Sequence, residues 1–341
     1  AYLERAEVLH LLQRYEEAIE DCDRAIELKP QFGNAYYRKG LILCELGKYE
    51  EAIEILEKLS EDEEFSDIAG YFMGVALKNL GKYEEALEYV EKYIEENPEY
   101  REPYLEKAEI LIALEKYEDA LEACNILLDR DAKDVGALIK KSGAFFRQDK
   151  FDEALKCIEE AMAFSSDYPA LNYYKGEILR NLGKPEESIE FFDRYIEKAP
   201  NQPNPYIGRA KSLYMMQQYE EALECCEKAI SLDDKYIEGY YSKAQVLMQM
   251  DRYEDVIEVL DRIKEIDEEF PMFNYERAEV FKRMGNYEKA LEEIDIYLEN
   301  FPDDGFAHEK KANILFALGR FDEAIQECDK AIEFEPELLD A

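Results

Sequence analysis

Between residues 71 and 93 the apolar and small positions fall at Tyr71, Gly74, Leu77 and Leu80, then at Tyr83, Ala86, Val90 and Tyr93. Steps of three and four residues place side chains on one face of an α-helix, so the segment predicts two helices parted by a short break at Gly81. The same layout fills the chain. One small column runs Ala18, Ala52, Ala86, Ala120, Ala154, Ser188, Ala222, Val256, Ala290 and Ala324, at one constant interval with no insertion or deletion. An aromatic column stands three residues before it, at Tyr15, Tyr49, Tyr83, Tyr117, Phe151, Tyr219, Tyr253, Tyr287 and Phe321, with Pro185 in the one remaining place. A second small column, Ala6, Gly40, Gly74, Ala108, Ser142, Gly176, Ala210, Ala244, Ala278 and Ala312, marks the other helix of each pair. Side chains this small let two helix backbones approach closely. The flanking Tyr15, Tyr49, Tyr83, Leu46 and Leu80 are expected in the core.

The breaks carry their own chemistry. "LGKY" between the two helices supplies a glycine (Gly47, Gly81, Gly183, Gly285, Gly319) suited to the left-handed conformation after a helix end. Pro30, Pro98, Pro200, Pro302 and Pro336 close second helices. Pro185 falls in the first turn of one, where a missing N–H breaks no intrahelical bond.

A helix–turn–helix unit of 34 residues in an unbroken register resembles the tetratricopeptide repeat over nearly the whole chain, as ten units of about 1–32, 33–66, 67–100, 101–134, 135–168, 169–202, 203–236, 237–270, 271–304 and 305–338. The family's frequent Trp is absent; Tyr2, Tyr36, Tyr104, Tyr206 and Tyr240 stand in its column, with Gly70, Leu138, Asn172, Asn274 and His308 in the rest. The resemblance implies an all-α, right-handed superhelical solenoid, a single array over 1–341, whose first helices line a concave groove. No hairpin could bury its apolar faces alone, so neighbours supply the core.

A slower, 102-residue rhythm overlies the first: Cys22, Cys124, Cys226 and Cys328 share one column, Tyr93, Tyr195 and Tyr297 another, and Lys39, Lys141 and Lys243 a third. Duplication of a three-repeat block is the simplest source; the other is an alternation of two or three helix-pair types for packing reasons.

Composition narrows the function. With 81 acidic against 42 basic residues the net charge is −39, which repels phosphate backbones and makes nucleic acid an unsuitable partner. Glu and Lys four residues apart on second helices, as in "YEEALEYVEKY", suggest a solvated outer face. Seven cysteines without framework spacing fit free thiols of a reducing cytosol, so a cytoplasmic protein is expected. His10 and His308, in opposite terminal repeats, offer no metal set or catalytic pair, and no phosphate-cradling glycine loop, G-x-S-x-G or HExxH motif occurs. No enzyme, cofactor or metal is expected. No apolar run is long enough to span a bilayer.

The functional expectation is a protein–protein interaction scaffold. In the family's groove stripe Tyr71 is followed by Lys78, Tyr173 by Arg180 and Tyr275 by Lys282, at 102-residue intervals, and Tyr37 and Tyr241 hold the equivalent stripe of units two and eight. An aromatic ring and a cation on a shared face can grip an extended or helical segment, the ring by apolar contact, the cation by pairing with carboxylates or carbonyls. The Lys-x-x-x-Asn pair by which one subclass holds chaperone C-termini has no match: the corresponding positions read Tyr37 and Leu41, Tyr71 and Val75, Leu105 and Glu109, Tyr173 and Glu177. Two other expectations concern the ends, where "ELLDA" resembles the opening of a further first helix. Either the chain is a segment of a larger adaptor protein, or uncapped apolar ends join copies head to tail as a self-assembling structural protein.

Overall fold

The computed structural model describes residues 1–165 and 167–336. Among the described residues there are twenty α-helices and no strand. The chain divides into two compact units, Ala1–Leu171 and Asn172–Ala341. In the first unit, helices α1 (Tyr2–Leu11), α3 (Gly33–Glu45), α5 (Ser66–Asn79), α7 (Glu102–Ala113) and α9 (Val135–Arg147) alternate with α2 (Tyr15–Leu28), α4 (Tyr49–Ser60), α6 (Tyr83–Glu96), α8 (Tyr117–Arg130) and α10 (Phe151–Phe164). The second repeats the plan with first helices α11 (Ala170–Asn181), α13 (Asn204–Met215), α15 (Ile237–Gln249), α17 (Phe273–Arg283) and α19 (Gly305–Ala317). Its second helices are α12 (Pro185–Lys198), α14 (Tyr219–Leu232), α16 (Tyr253–Ile266), α18 (Tyr287–Asn300) and α20 (Phe321–Phe334). Each described second helix packs on the next first helix within its unit, and first helices also touch one another, α7 on α9 and α13 on α15.

The small columns are where the hairpins close. Ala18, Ala52, Ala86, Ala120 and Ala154 are fully buried, as are Ser188, Ala222 and Ala290. Across each hairpin a residue of the other small column faces one partner on the second helix, and their sizes compensate. A Cβ on Gly40 would lie 2.8 Å from Leu56, on Gly74 3.0 Å from Val90 and on Gly176 2.8 Å from Phe192. Cysteine, in contrast, always stands opposite alanine: Ala6 with Cys22, Ala108 with Cys124, Ala210 with Cys226 and Ala312 with Cys328. Ala244 and Ala278 face Leu260 and Ile294, so alanine tolerates larger partners. At Cys22, Cys124 and Cys226 the 102-residue cysteine column is thus one half of a size-matched pair, whereas Cys328 in the last hairpin is exposed. Cys22, Cys124 and Cys226 are fully buried, and burial pushes their thiols up to about 11, 12 and 12. Thiols held this far from ionisation are poor nucleophiles.

The lysine column has a different explanation. Lys39 pairs with Asp23 at 2.6 Å, Lys107 with Glu91 at 2.6 Å, Arg209 with Asp193 at 2.9 Å, Lys243 with Glu227 at 2.9 Å and Lys311 with Asp295 at 2.8 Å. Lys141 donates to Asn125 Oδ1 at 2.8 Å. In every case the cation reaches back to the same position of the preceding second helix. Lys39, Lys141 and Lys243 therefore belong to a feature of most repeats, an inter-hairpin tie that Met73 lacks, rather than to the 102-residue one.

One expectation is corrected by the structure and a second is met and extended. Tyr15, Tyr49, Tyr83, Leu46 and Leu80 are half-buried rather than core, because each sits at a helix end beside the turn, with one flank open. Second, all ten turns place one residue in the left-handed region: the five glycines at φ 72–77°, but also Gln13, Glu115, Asp149, Gln217 and Asp251 at φ 54–60°. An L residue there carries strain of about 1–2 kcal/mol. Gln217→Gly is accordingly expected to raise stability by about 0.5 kcal/mol, strain relief outweighing glycine's extra freedom in the unfolded chain. Equilibrium urea unfolding reads this directly, and a midpoint lowered by the substitution would refute it.

The column left without Trp keeps a common hydrogen bond. Tyr36, Tyr206 and Tyr240 each donate their hydroxyl to the carbonyl six residues earlier, of Pro30, Pro200 and Asp234, at 3.2, 3.0 and 3.1 Å. His308 does the same with Nε2, 2.9 Å from the Pro302 carbonyl, while Nδ1 lies 2.6 Å from Glu327. It is a packing histidine. Burial alone would raise the Glu327 carboxyl, but hydrogen bonds from His308 and Lys330 outweigh burial and hold it below the usual range.

Candidate functional site

In the first unit Tyr37 lies on α3 and Tyr71 and Lys78 on α5. The Tyr71 ring packs 4.9 Å from Tyr93 of α6 and 5.1 Å from Phe72, whose ring also meets Tyr37 at 5.8 Å. In the second unit Tyr173 packs 6.1 Å from Tyr195, and Tyr275 5.2 Å from Tyr297. The tyrosines that recur in the slower rhythm are thus aromatic pairs joining the first helix of a hairpin to the second. Such pairs contribute about 0.5–1.5 kcal/mol beyond burial. All five tyrosines expected in the stripe, Tyr37, Tyr71, Tyr173, Tyr241 and Tyr275, remain half-buried. Burial pushes the Tyr241 and Tyr275 phenols up to about 12.

The three cations are engaged within their own units. Lys78, whose side chain is 13% exposed, donates to Glu106 at 2.7 Å and Glu109 at 3.1 Å, and Glu109 also accepts from Lys140 at 2.9 Å. Arg180 gives Nη2 to Glu177 at 2.7 Å. Lys282 pairs with Glu279 at 2.7 Å, and that carboxylate accepts from Arg283 at 3.2 Å and Lys310 at 3.3 Å as well. Burial works against the Glu279 carboxylate, yet three cations hold its carboxyl down to about 2. Lys310 is pulled below the usual lysine range by its own burial, against the attraction of Glu279. Its ammonium also sits 3.6 Å from the centre of the Tyr275 ring, a favourable cation–π position.

These partners share a spacing that the repeat register conceals. Lys78 and Glu109 stand 31 positions apart, as do Glu109 and Lys140. The same step joins Arg180 to Lys211 and Ser242, Tyr214 to Gln245 and Glu276, and Glu279 to Lys310. Adjacent first helices lean across one another, so a residue of one faces a position about one helical turn earlier in the next repeat. Glu106, Glu109, Lys140, Lys211, Ser242, Glu276, Glu279 and Lys310 do not stand out in the repeat columns, and this shorter step is the signal that finds them.

Two adjoining hollows open on this surface in the second unit. One, of about 190 Å³, lies between Tyr241, Gln245, Glu276 and Arg283, floored by Val256 and Leu260; Tyr241 donates its hydroxyl to Glu276 at 2.8 Å. The other, of about 220 Å³, lies between Arg180, Lys211, Ser242 and Gln245, and Tyr214 belongs to both. Two buried polar atoms at the second hollow, Arg180 Nε and Ser242 Oγ, have no hydrogen-bond partner. No metal-holding group of three His, Cys, Asp or Glu side chains occurs among the described residues. No helix among them is long and apolar enough to cross a membrane.

Hairpins of constant length that stack through shared small columns and present one face of every first helix define a helical-repeat solenoid. Tetratricopeptide repeat models match residues 1–32, 22–54, 80–141, 141–203 and 275–337, and the chain belongs to that family. A model of the anaphase-promoting complex, cyclosome, subunit 3, matches residues 181–263. No curated protein matches the chain. Among solved structures, a tetratricopeptide repeat protein from Parabacteroides merdae ATCC 43184 aligns at TM-score 0.63 and 18% identity, over 72% of this chain and 97% of that one. Yeast Tom70 aligns at TM-score 0.50 and 18% identity, over 98% and 76%. An IFIT1 monomeric mutant with Gppp-AAAA aligns at TM-score 0.57 and 14% identity, over 97% and 89%. Likeness at this identity shows the fold. Proteins of the family generally mediate protein–protein interactions.

Proposed function

We propose that the chain is a non-enzymatic scaffold that holds an extended or helical protein segment along the exposed face of its first helices. The observation that carries this reading is the recurrence of half-open tyrosines on the first helices, together with one hollow whose buried donors, Arg180 Nε and Ser242 Oγ, lack partners, on a fold whose other columns are spent on packing. Tyr37 and Tyr71 in the first unit, and Tyr173, Tyr241 and Tyr275 in the second, supply contact surface within each unit, rings with a large apolar area. Lys78, Arg180 and Lys282 orient the segment, exchanging their glutamates for its carbonyls or carboxylates. The partner is a protein rather than a nucleic acid: the Gppp-AAAA accompanying IFIT1 is a polyanion, and a chain of charge −39 opposes such a ligand.

Simultaneous alanine replacement of Lys78, Arg180 and Lys282 removes one cation from each cluster, while Glu109 keeps Lys140 and Glu279 keeps Arg283 and Lys310. Capture of an acidic segment is then expected to weaken about tenfold at low salt and less at high salt, with the helical circular dichroism signal retained. Unchanged capture of every partner by the triple variant would reject the site.

End-to-end association of copies is a second reading, supported by the exposed Leu11 and Leu12 of the first hairpin and Phe316, Phe321 and Ile325 of the last. Light scattering across a concentration series separates the two, since a constant monomer mass excludes association.

A further inference from the structure

The hollow bounded by α11, α13 and α15 has a composition unlike the rest of the first-helix surface. On the equivalent diagonal of the first unit, cation, carboxylate and cation alternate as Lys78, Glu109 and Lys140, and Glu109 accepts from both lysines at 3.1 and 2.9 Å. The 102-residue step leads from these to Arg180, Lys211 and Ser242. Here Lys211 stands where the carboxylate stood, and the diagonal has donors with no acceptor between them. Ser242 is only 4% exposed and its hydroxyl is unpartnered; Arg180 Nε is buried and likewise unpartnered, although Nη2 is occupied by Glu177. A guanidinium Nε can only donate. Burying such groups unpaired is unfavourable, an arrangement that favours whatever acceptor enters.

Charge decides what that acceptor is. The cluster is already neutral, since Arg180 pairs with Glu177 at 2.7 Å and Lys211 with Glu238 at 2.5 Å. The first-unit cluster, Lys78 and Lys140 with Glu106 and Glu109, is neutral with its acceptor in place. An entering carboxylate would add an uncompensated negative charge beside Glu177 and Glu238, within a chain of net charge −39. An uncharged carbonyl satisfies both donors without that penalty. The hollow's 220 Å³ holds a primary or secondary amide, with the Tyr214 ring and the Ala210 and Val246 side chains as walls.

We propose that this hollow is a subsite for an uncharged amide of the docked segment, its carbonyl accepting from Arg180 Nε and Ser242 Oγ. This rests on the docking role of the first-helix face and specifies what one point of it recognises. The amide has two sources, an Asn or Gln side chain and the peptide backbone.

The test uses the whole chain with methyl-labelled Ala, Val and Met, titrated with three capped amino acids: N-acetyl-glutamine, N-acetyl-glutamate and N-acetyl-alanine, each as its N-methylamide. The Ala210, Val246 and Met215 methyl signals are expected to shift with the glutamine compound at a half-saturation at least threefold below that of the glutamate compound. Equal response to the alanine compound assigns the backbone amide, and a weaker one the side chain; both support the subsite. Ser242→Ala and Arg180→Lys, which removes the Nε donor, are each expected to raise the half-saturation about threefold or more, and unshifted methyl spectra elsewhere verify folding. Tighter binding of the glutamate compound, or no shift with any of the three, overturns the proposal. If the subsite fails while a captured partner still protects α13 and α15 from exchange, the docking surface stands without it; if that protection also fails, the docking reading falls.

Discussion

Phe192→Cys is expected to cost about 3 kcal/mol, the range for truncating a buried aromatic. Phe192 is fully buried and fills the space left by two glycines: a Cβ would approach its ring to 2.8 Å from Gly176 and 2.5 Å from Gly208. Gly176→Ala alone should cost about 1–2 kcal/mol by overpacking. The double variant recreates the Ala210 and Cys226 pair found one repeat later, so the two changes should not add. A coupling of about 1 kcal/mol or more in the stabilising direction is expected, incomplete because the Gly208 side remains open. Urea unfolding of the two single variants, the double and the parent measures this cycle. Simple additivity would show that the size pairing across the hairpin does not govern packing.

Glu279→Gln should have the second-largest effect, about 2 kcal/mol, because it removes the carboxylate that Lys282, Arg283 and Lys310 share and leaves Lys310 only the more weakly placed Glu276. Lys310 is only 11% exposed and cannot turn fully into water. The same carboxylate makes a signed pH prediction. Its carboxyl is held at about 2 in the folded chain against an ordinary value of 4.5. The stabilisation is therefore fully present above the unfolded value and is lost as pH falls from about 4.5 towards 2. Melting temperature against pH should lose part of its acid-side slope in the Gln variant. Identical slopes in parent and variant would contradict the assigned ion-pair cluster.

Both predictions concern features only partly legible in the sequence. The helices, their pairing and the glycine turns follow from apolar positions three and four apart and from "LGKY", and Pro185 opens α12 at its first residue. The cysteine column is visible as a rhythm, yet its cause is not, because the partner alanine lies on the other helix of the hairpin, in a column of its own. The left-handed Gln13, Glu115, Asp149, Gln217 and Asp251 carry no glycine to announce them; the turn's geometry is imposed by the two helices it joins. The candidate cations Lys78, Arg180 and Lys282 show themselves by their 102-residue spacing, whereas the glutamates they engage do not. The repeat register aligns like with like, but stacked first helices meet on a shorter diagonal, so Lys78 faces Glu109 rather than its own equivalent. Ser242 draws no attention in the sequence because a lone serine becomes informative only when its burial and missing partner are known.

The claim on which the functional account depends is that first helices, not second helices, carry the docking face. Hydrogen–deuterium exchange of the intact chain, alone and with a captured partner, tests it most directly. Peptides covering α13, α15 and α17 should gain protection while those from α14, α16 and α18 exchange as before. Protection confined to the second helices would contradict the account.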